Sequence, residues 1–275
     1  MDLPLYRDEG WTLVDVPDID TLPRPVWLRA QDLPPRHVFP MHVHPWNQFV
    51  YATAGTLTVT VDDSWYVITP EQAIWVPTGV EHTTGARHGA NFRNLYVADA
   101  PDLAMPRECT LFSVSPLLRA LIVELQDLGD AGDDSAYLGR IDALVLAQLQ
   151  RLKVEPLQLP WPRNPMLHRI CEALYDAPAD TRSVEDWGRE LGASPRTLTR
   201  RFERDLGISL REWRHRLRLF LSLERLCAGG SVTRIALELG YASPAAFTCM
   251  FRRNMGCSPS EWRGRHRPEM RRMGA

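Results

Sequence analysis

Two closely similar segments lie in the second half of the chain, and they limit its possible folds more than composition does. "ASPRTLTRRFERDLGISLREWR" (193–214), shifted by 49 residues, matches "ASPAAFTCMFRRNMGCSPSEWR" (242–263) at 11 of 22 positions. Just upstream, "SVEDWGRELG" (183–192) matches "SVTRIALELG" (231–240) at five of ten positions with a shift of 48 residues. The change of one residue falls at the turn after the shared Leu-Gly, where an insertion costs least. Such a period predicts two copies of one supersecondary unit.

Each copy has the punctuation of a helix–turn–helix unit. A serine precedes a short helix, Leu-Gly ends it, Ser-Pro opens a second helix, and a glycine ends that one. Serine is a favoured N-cap, proline fits the first turn of a helix, and glycine adopts the left-handed conformation that ends helices. Because helix pairs also build repeat scaffolds, a protein-interaction module remains an alternative.

A long helix is predicted between the two copies. "SLREWRHRLRLFLSLERLCAGG" (209–230) has no proline, and Leu210, Trp213, Leu217 and Phe220 fall on one side at helical spacing. About 19 residues at about 1.5 Å each make a rod of roughly 28 Å. One turn of B-DNA is about 34 Å long. Two recognition helices joined by this rod could therefore enter successive major grooves on one face of a duplex.

Charge also separates the two halves of the chain. Residues 1–163 carry 12 Lys and Arg against 21 Asp and Glu, a net charge of −9, whereas residues 164–275 carry 20 against 13, a net charge of +7. All 20 basic residues of the second half are arginines, whose planar guanidinium groups suit phosphates and guanine edges. This asymmetry favours a nucleic-acid partner for the second half.

Residues 183–263 resemble the DNA-binding domain of the AraC/XylS family of bacterial transcription regulators. The second copy, "IALELGYASPAAFTCMFRRNMGCSPSEWR", is close to that family's signature, from its apolar opening through Gly240 and Tyr241 to Phe251 and Gly256-x-Ser-Pro. The resemblance implies that the second helix of each unit binds double-stranded promoter DNA and that RNA polymerase is a partner. The residues predicted to contact DNA are Arg196, Thr197, Thr199, Arg200 and Arg204 in the first unit and Ala245, Thr248, Cys249, Arg252 and Arg253 in the second.

The two units offer different chemistry to a base pair. Arg196 and Arg200, one helical turn apart, can each make a bidentate contact to guanine, worth roughly 1–3 kcal/mol of discrimination. Ala245 offers only a methyl contact and Cys249 only a weak donor. We therefore expect the first unit to supply most of the base specificity, while the arginines of the second hold phosphates.

The first half carries a histidine motif on a predicted β-barrel. Residues 35–100 alternate in segments such as "GTLTVTV" and "WYVI", with turns every eight to ten residues. The pattern His-x-His-x3-Gln-x6-Gly starts at His42, and "PTGVEH" ends at His82. This spacing resembles the two motifs of the cupin barrel, in whose metal-binding members two histidines, an acidic residue and a later histidine hold one divalent ion. The resemblance implies His42, His44, Gln48 and His82 as candidate metal ligands.

A glutamine at the acidic position changes the chemistry expected of this site. Gln48 supplies a neutral carbonyl oxygen, so three imidazoles and one amide would leave the charge of an ion uncompensated. Three-histidine sites nevertheless hold zinc, nickel or iron in other proteins. Three interpretations stay open: one divalent Zn, Ni or Fe ion, the lining of an organic-ligand pocket without metal, and plain packing in the barrel.

An effector pocket has further candidates beside the histidines. Large rings on or beside the predicted strands suit stacking on a flat aromatic ligand, although core packing is the commoner role for such rings. The candidate effector-binding residues are His42, His44, Trp46, Gln48, Tyr51, Trp75 and His82, and Trp65 and Tyr66 are further large rings of the same region.

The middle of the chain is predicted to be helical. "SPLLRALIVELQDLG" (115–129) starts with serine and proline and ends at glycine, and a second helix is predicted over roughly 136–153. We expect these helices to mediate dimerisation. "KVEPLQLPWPRNP" (153–165) contains four prolines and cannot continue a helix. The predicted organisation is a cupin-like sensor barrel at 1–112, a helical segment at 113–153, a linker at 154–165 and the DNA-binding domain at 166–275.

The expected fold class is α+β in two domains, a cupin-like β-barrel with following helices and then an all-α double helix–turn–helix. The five cysteines show no CxxC spacing, which indicates free thiols in a reducing compartment. The N-terminal residues show no signal pattern, and no apolar run approaches about 18 residues. We therefore expect a cytoplasmic protein.

The sequence predicts a transcription regulator, an activator rather than an enzyme, that responds to a small molecule or metal in the cupin domain. Regulators that combine this cupin spacing with this DNA-binding domain resemble those controlling efflux transporters, so an efflux gene is a candidate target. The rival interpretation is a cupin metalloenzyme, a dioxygenase or isomerase, fused to a DNA-binding module. Against it, the first half shows no further acid–base pair at recognisable spacing.

Overall fold

Strands make up the first part of the chain and helices the second. The computed structural model describes residues 10–62, 64–70, 72–101, 103–129, 135–154 and 159–266. These residues form two compact units, one containing most of residues 12–154 and the other residues 159–266. The α+β architecture with a β-rich first unit and a helical second unit is the one that the sequence predicts. The predicted domain ends at 1–9 and 267–275 lie outside the described residues.

The strands of the first unit form two sheets. Their bounds are β1 (Thr12–Leu13), β2 (Val26–Leu33), β3 (His37–Val38), β4 (Asn47–Gly55), β5 (Leu57–Val61), β6 (Ser64–Ile68), β7 (Gln72–Val76), β8 (His82–Ala86), β9 (Ala90–Val97), β10 (Thr110–Ser113) and β11 (Lys153–Val154). One sheet runs in the order β1-β3-β8-β5-β6 and the other in the order β11-β10-β7-β4-β9-β2.

Alternation along the strands of the second sheet sorts its side chains into two cores. On β4, Val50 and Ala52 pack in the barrel interior, whereas Phe49 and Tyr51 pack in the core on the opposite face. Gln48 shares the parity of Val50 and therefore faces the interior. Only residues of this parity on β4 can therefore contact the histidines from the barrel interior.

Two helices cover the outer face of the second sheet. In α1 (Pro116–Leu128) the buried side chains are Leu118, Ile122 and Leu125, and those of α2 (Ser135–Leu149) belong to the same core. Ser115 caps α1, as predicted, by accepting a hydrogen bond from the Leu118 N–H at 3.1 Å. The second predicted helix runs four residues too far, because Lys153 and Val154 pair with β10 instead. A β-branched valine at a free sheet edge gains ladder hydrogen bonds there.

The second unit begins with the short strand β12 (Leu159–Pro160) and continues as helices. Their bounds are α3 (Pro165–Asp176), α4 (Val184–Leu191), α5 (Pro195–Leu206), α6 (Leu210–Cys227), α7 (Val232–Glu238), α8 (Pro244–Met255) and α9 (Pro259–His266). No helix in the described ranges is both long and apolar enough to cross a membrane.

The helix boundaries predicted from the repeat are confirmed. Gly192, Gly207 and Gly256 follow α4, α5 and α8 in the left-handed conformation, with φ of 65°, 68° and 70°. The serines before five of the helices each accept a hydrogen bond from the backbone N–H three residues later, and they are Ser183, Ser194, Ser209, Ser231 and Ser243. Each side chain thus satisfies one of the unpaired donors at a helix start.

The long helix between the copies is α6, which has 18 residues and so spans about 27 Å. Its predicted apolar side is buried, with Trp213 and Leu217 at 0% and 1% exposure. Phe202 and Phe251, at equivalent positions of the two copies, are also fully enclosed. The repeat therefore builds two similar helix pairs on one central helix.

Candidate DNA-binding surface and histidine cluster

The outer face of α5 presents two exposed arginines. Arg196, Thr199 and Arg200 are exposed, because Leu198 and Phe202 occupy the buried side of the same helix. Within the part of the chain that the structure describes, no hydrogen bond or ion pair involves Arg196 or Arg200. Their guanidinium groups are free to reach a base edge or a phosphate.

Thr197 and Arg204 have local partners instead. The Thr197 hydroxyl lies 2.8 Å from the Ser194 hydroxyl at the cap of α5. Near the other end of the helix, Arg204 Nε donates to the Asp205 carboxylate at 2.6 Å. Thr197 and Arg204 therefore already have a partner within the protein, unlike Arg196 and Arg200 on the same helix.

The corresponding helix of the second copy offers little charge in its first two turns. Ala245 and Cys249 are exposed and Thr248 is half-buried. Arg252 and Arg253 are exposed near the C-terminal end of α8. The charge on this helix thus sits at the end opposite its N-terminal turn, as the sequence requires.

Two arginines of α6 hold the second unit together. Arg218 Nε donates to the Pro178 carbonyl oxygen at 2.8 Å, and its guanidinium lies 5.7 Å from the Tyr241 ring centroid. Arg214 Nη2 donates to the Arg182 carbonyl oxygen at 2.8 Å. The loop before the first helix pair and the turn of the second are therefore joined through α6. Sequence reasoning missed this role, because charge alone does not separate structural arginines from DNA-facing ones.

The three histidines of the cupin-like motif lie together in the first unit. Backbone pairing brings the two motif segments into contact, because His42 and His82 exchange two N–H···O bonds of 3.0 Å. Their rings and that of His44 place ligand nitrogens within 4.8 Å of one another. His44 and His82 are buried and His42 is half-buried. The histidines predicted from two separate motifs therefore form one cluster.

Each histidine ring is oriented by the main chain. The Nδ1 atoms lie 2.7–3.0 Å from carbonyl oxygens two residues away in the sequence. A carbonyl oxygen can only accept, so Nδ1 carries the proton and Nε2 holds a lone pair. This arrangement fixes the tautomer in the way that metal-ligating histidines commonly require.

Gln48 completes the cluster, and Asn94 fixes its orientation. Gln48 Nε2 donates to Asn94 Oδ1 at 2.7 Å, so Oε1 points toward the histidines. That oxygen lies 3.1 Å from His82 Nε2 and also contacts His44 Nε2. Asn94 stands on β9, whose pairing with β4 sequence reasoning did not identify.

The electrostatics of the cluster favour a bound cation. Burial lowers the pKa of His42 and His44, and burial together with the neighbouring His42 lowers the pKa of His82 to about 3. The imidazoles are therefore neutral at neutral pH, with their single protons on Nδ1. The Nε2 atoms of His44 and His82 and the oxygen of Gln48 then present lone pairs to one another. A divalent ion among them would convert these repulsive contacts into bonds, so the residues fit a metal.

The aromatic candidates divide between two places. Trp46 stacks on His44 with ring centroids 5.3 Å apart. Tyr51 and Trp75 instead belong to the core between the second sheet and the helices, and their polar atoms bond to Pro70 and Pro106. The geometry therefore joins Trp46 to the histidines and separates Tyr51 and Trp75 from them. Trp75 also lines a cavity of about 430 Å³ that includes Asn47, Asp99 and Arg107 among its walls.

The neighbours of the cluster include residues that the motif does not contain. Tyr96 lies 6.1 Å from His44 between ring centroids and 5.4 Å from Trp46. Phe39 lies 6.2 Å from His42. Arg29, on β2, places its guanidinium 5.9 Å from the Phe39 ring. Alternation within β9 would have grouped Asn94 with Tyr96, but only the pairing of β2, β9 and β4 brings them to the histidines.

Comparisons with known proteins agree with both units. Residues 187–265 match the family described as "Helix-turn-helix domain", and residues 30–97 match the family described as "Cupin domain". The chain is 29% identical over 202 residues to the HTH-type transcriptional regulator NimR of Escherichia coli (strain K12), covering 74% of each chain. It is 33% identical over 97 residues to the HTH-type transcriptional regulator RipA of Corynebacterium glutamicum, covering 35% of this chain and 29% of RipA. The solved structure of ToxT from Vibrio cholerae is 12% identical with a TM-score of 0.37, covering 88% of this chain and 99% of ToxT.

The fold and these matches define the class of protein as a DNA-binding transcription regulator with an N-terminal cupin domain. The two helix–turn–helix units are the pairs α4–α5 and α7–α8, an arrangement that agrees with the resemblance of residues 183–263 to the AraC/XylS family.

Proposed function

We propose that the cupin domain binds one divalent metal ion and a small-molecule effector, and that binding alters the affinity of the repeat domain for promoter DNA. The observation that carries this proposal is the convergence of His42, His44, His82 and Gln48 through unprotonated ligand atoms. A regulator needs a ligand with different affinities for its two states. A metal whose ligands come from separate segments of the chain could provide that difference.

Zinc, nickel and iron are the ions that the donor set fits. Imidazole nitrogen suits all three, and an amide oxygen adds a harder donor without charge. Bound there, the ion would supply a Lewis-acidic position for a further ligand. His42, His44 and His82 would hold it, and Asn94 would keep the oxygen of Gln48 turned toward it.

On the DNA side, the free arginines of α5 would read bases and those of α8 would hold phosphates. Arg196 and Arg200 are exposed and unpaired among the described residues, which supports direct contact with guanine. Arg252 and Arg253 are exposed beyond the apolar start of α8. Thr197, Thr199, Arg204, Ala245, Thr248 and Cys249 complete the proposed interface on the same two helices.

Further parts of the proposal concern assembly and output. Exposed apolar residues on α1 and α2, Leu117, Tyr137 and Leu144, support a homodimer formed through these helices. Activation through RNA polymerase, action in the cytoplasm and control of an efflux transporter gene rest on the family resemblance of the sequence. Because NimR and RipA are both named as transcriptional regulators, their similarity is consistent with regulation and says nothing of a target.

Metal-dependent DNA binding by the full chain tests the proposal. The protein would be stripped with a chelator, reloaded with Zn²⁺, Ni²⁺ or Fe²⁺, and tested on operators selected from random duplex DNA. We expect one ion per chain and at least a fivefold change in DNA affinity on loading. His82→Ala should abolish both effects, whereas His37→Ala, which removes a histidine outside the cluster, should leave both intact. Loading that does not need His82, or DNA binding indifferent to metal, would contradict the proposal.

A cupin metalloenzyme is the second candidate, because three histidines around one position can also support catalysis. Oxygen consumption by the Fe²⁺-loaded protein and isomerisation of sugar substrates would be followed over many turnovers. Turnover that disappears in His44→Ala would favour this alternative over ligand sensing.

A further inference from the structure

Arg29 is a half-buried cation beside the histidine cluster that lacks a full set of partners. It lies on β2, where alternation places it on the interior face with Leu33. Its Nη1 atom is buried, and no described residue accepts a hydrogen bond from it. A buried guanidinium N–H without an acceptor destabilises the folded protein, because it has lost its hydrogen bonds to water. A ligand that supplies an acceptor at this position would recover that free energy.

The surroundings of Arg29 are aromatic. Phe39 neighbours both Arg29 and the cluster, with its ring 5.9 Å from the Arg29 guanidinium carbon and 6.2 Å from the His42 ring. Tyr96 neighbours both Arg29 and His44. Trp46 stacks on His44, with ring centroids 5.3 Å apart, and lies 5.4 Å from Tyr96. Its indole N–H is also buried without an acceptor among the described residues.

The cluster contributes no negative charge that could neutralise Arg29. Its donors are three neutral imidazoles and the amide of Gln48, so a divalent ion there would keep its full charge. A bound ion and Arg29 would thus place two positive centres near Phe39 and Tyr96. Low local polarity strengthens the attraction of such centres for an anion.

We propose that the effector of the cupin domain is a small organic carboxylate with a planar apolar body, held by Arg29. This inference rests on the proposed function, because it names the chemical class of the effector. The carboxylate supplies the acceptor that Arg29 Nη1 lacks, as guanidinium groups bind carboxylates in a fork geometry. The apolar body packs on the rings of Phe39, Trp46 and Tyr96.

A chain of hydrogen bonds would carry the effect of the anion to the cluster. Tyr96 neighbours Arg29, and its hydroxyl accepts from Asn94 Nδ2 at 3.5 Å. Asn94 Oδ1 in turn accepts from Gln48 Nε2 at 2.7 Å. A carboxylate that engages Arg29 changes the partner of Tyr96 at one end of this chain, while Gln48 faces His44 and His82 at the other.

Matched carboxylate and amide probes test the proposal. Benzoate, phenylacetate and cinnamate would be compared with their amides on the full-length protein, with and without Zn²⁺, by thermal unfolding and tryptophan fluorescence titration. We expect at least one carboxylate to bind tenfold or more tightly than its amide. Arg29→Gln should remove that preference, and Arg29→Lys should keep part of it. Arg140→Gln, at an exposed arginine of α2, serves as the control.

The possible outcomes separate this inference from the proposed function. If no carboxylate outperforms its amide, or if Arg29→Gln leaves the preference unchanged, the anionic effector is excluded even when metal still controls DNA binding. If the preference depends on Arg29 while the protein takes up no metal, the inference stands and the metal part of the proposed function fails. Near-UV circular dichroism of Arg29→Gln and Arg29→Lys shows whether each variant is folded.

Discussion

Arg196 and Arg200 differ from most arginines of the second unit, because neither has a described partner. By contrast, Arg214, Arg218 and Arg204 already donate to protein oxygens. A side chain that is exposed and unpaired in the free protein does not lose an existing bond when it meets DNA. We therefore expect Arg196 and Arg200, at the start and middle of α5, to make the specific base contacts.

We expect Arg196→Ala to weaken binding to the selected operator by roughly 1–3 kcal/mol and to relax base preference at one position. The measurement is a competition assay on operators with every base at each position. Arg252→Ala is the matched control. It should weaken binding to all sequences equally, and it should reduce the slope of log affinity against log salt concentration by about the value of one phosphate contact. If Arg196→Ala weakens binding to all sequences equally, direct base reading by the first helix–turn–helix unit is contradicted.

Gln48 offers a second test at the scale of one side chain. Gln48→Glu adds the carboxylate that metal-binding cupins carry at this position, so metal affinity should rise by about tenfold or more. In the metal-free protein the same change buries an unpaired charge, which should lower the melting temperature. Chelator competition and thermal unfolding measure the two effects. Gln150→Glu, at an exposed position, should change neither, and a metal affinity that falls in Gln48→Glu would argue against Gln48 as a ligand.

Sequence alone predicted the histidine cluster but not all of its surroundings. His42, His44, Gln48 and His82 stand at motif spacings, and the antiparallel bridge between two of them follows from the barrel. The parity of positions in β4 already separates Tyr51 from Gln48, so its place in the outer core could have been foreseen. Arg29 could not, because its position depends on the pairing of β2 with β9, which no local pattern specifies.

At the scale of elements, the repeat was predictable because its signals are local. Caps and left-handed glycines act within four residues, so each helix start and stop could be assigned without the fold. The length of α2 was overestimated because a strand pairing with β10 competes for its last predicted residues. The local sequence pattern does not specify pairing between strands that are distant in the chain, such as β10 and β11.

The turn inside each helix pair differs by one residue between the copies, and Gly188 compensates for the shorter one. A Cβ at Gly188 would lie 2.6 Å from the Ala193 carbonyl oxygen, a backbone atom. The equivalent position in the second copy is Ala236, which is also buried. The turn after α7 is longer by one residue, Tyr241. The shorter turn thus brings its carbonyl against α4 and leaves room only for glycine.

Gly188→Ala should therefore destabilise the second unit by about 1–3 kcal/mol, although alanine is ordinarily the better helix former. Urea unfolding followed by tryptophan fluorescence measures the change. Gly264→Ala, in α9, meets no atom within 4 Å and should be neutral or stabilising by up to about 1 kcal/mol. Equal stability of the two variants would show that the turn has room to shift.

At the scale of the whole molecule, the two copies would bind one operator half-site and a second chain would bind the other. The face that could join two chains is the flank of α1 and α2. There Leu117, Tyr137 and Leu144 are 46%, 39% and 41% exposed, although the opposite sides of both helices are buried against the second sheet. Apolar side chains in this number on one flank favour association.

Leu144→Arg should prevent formation of the proposed homodimer at micromolar concentration, because a guanidinium would be buried without a partner in the interface. Sedimentation equilibrium measures the assembly, and footprinting on an operator with two half-sites measures its consequence. We expect affinity for the double site to fall at least tenfold while affinity for a single half-site is unchanged. Ala143→Arg places the same charge at an exposed position of α2 that is turned about 100° away from Leu144, and it should leave both measurements as in the wild type. A wild-type chain that sediments as a monomer, or a Leu144→Arg variant that remains a dimer, would exclude this flank as the interface.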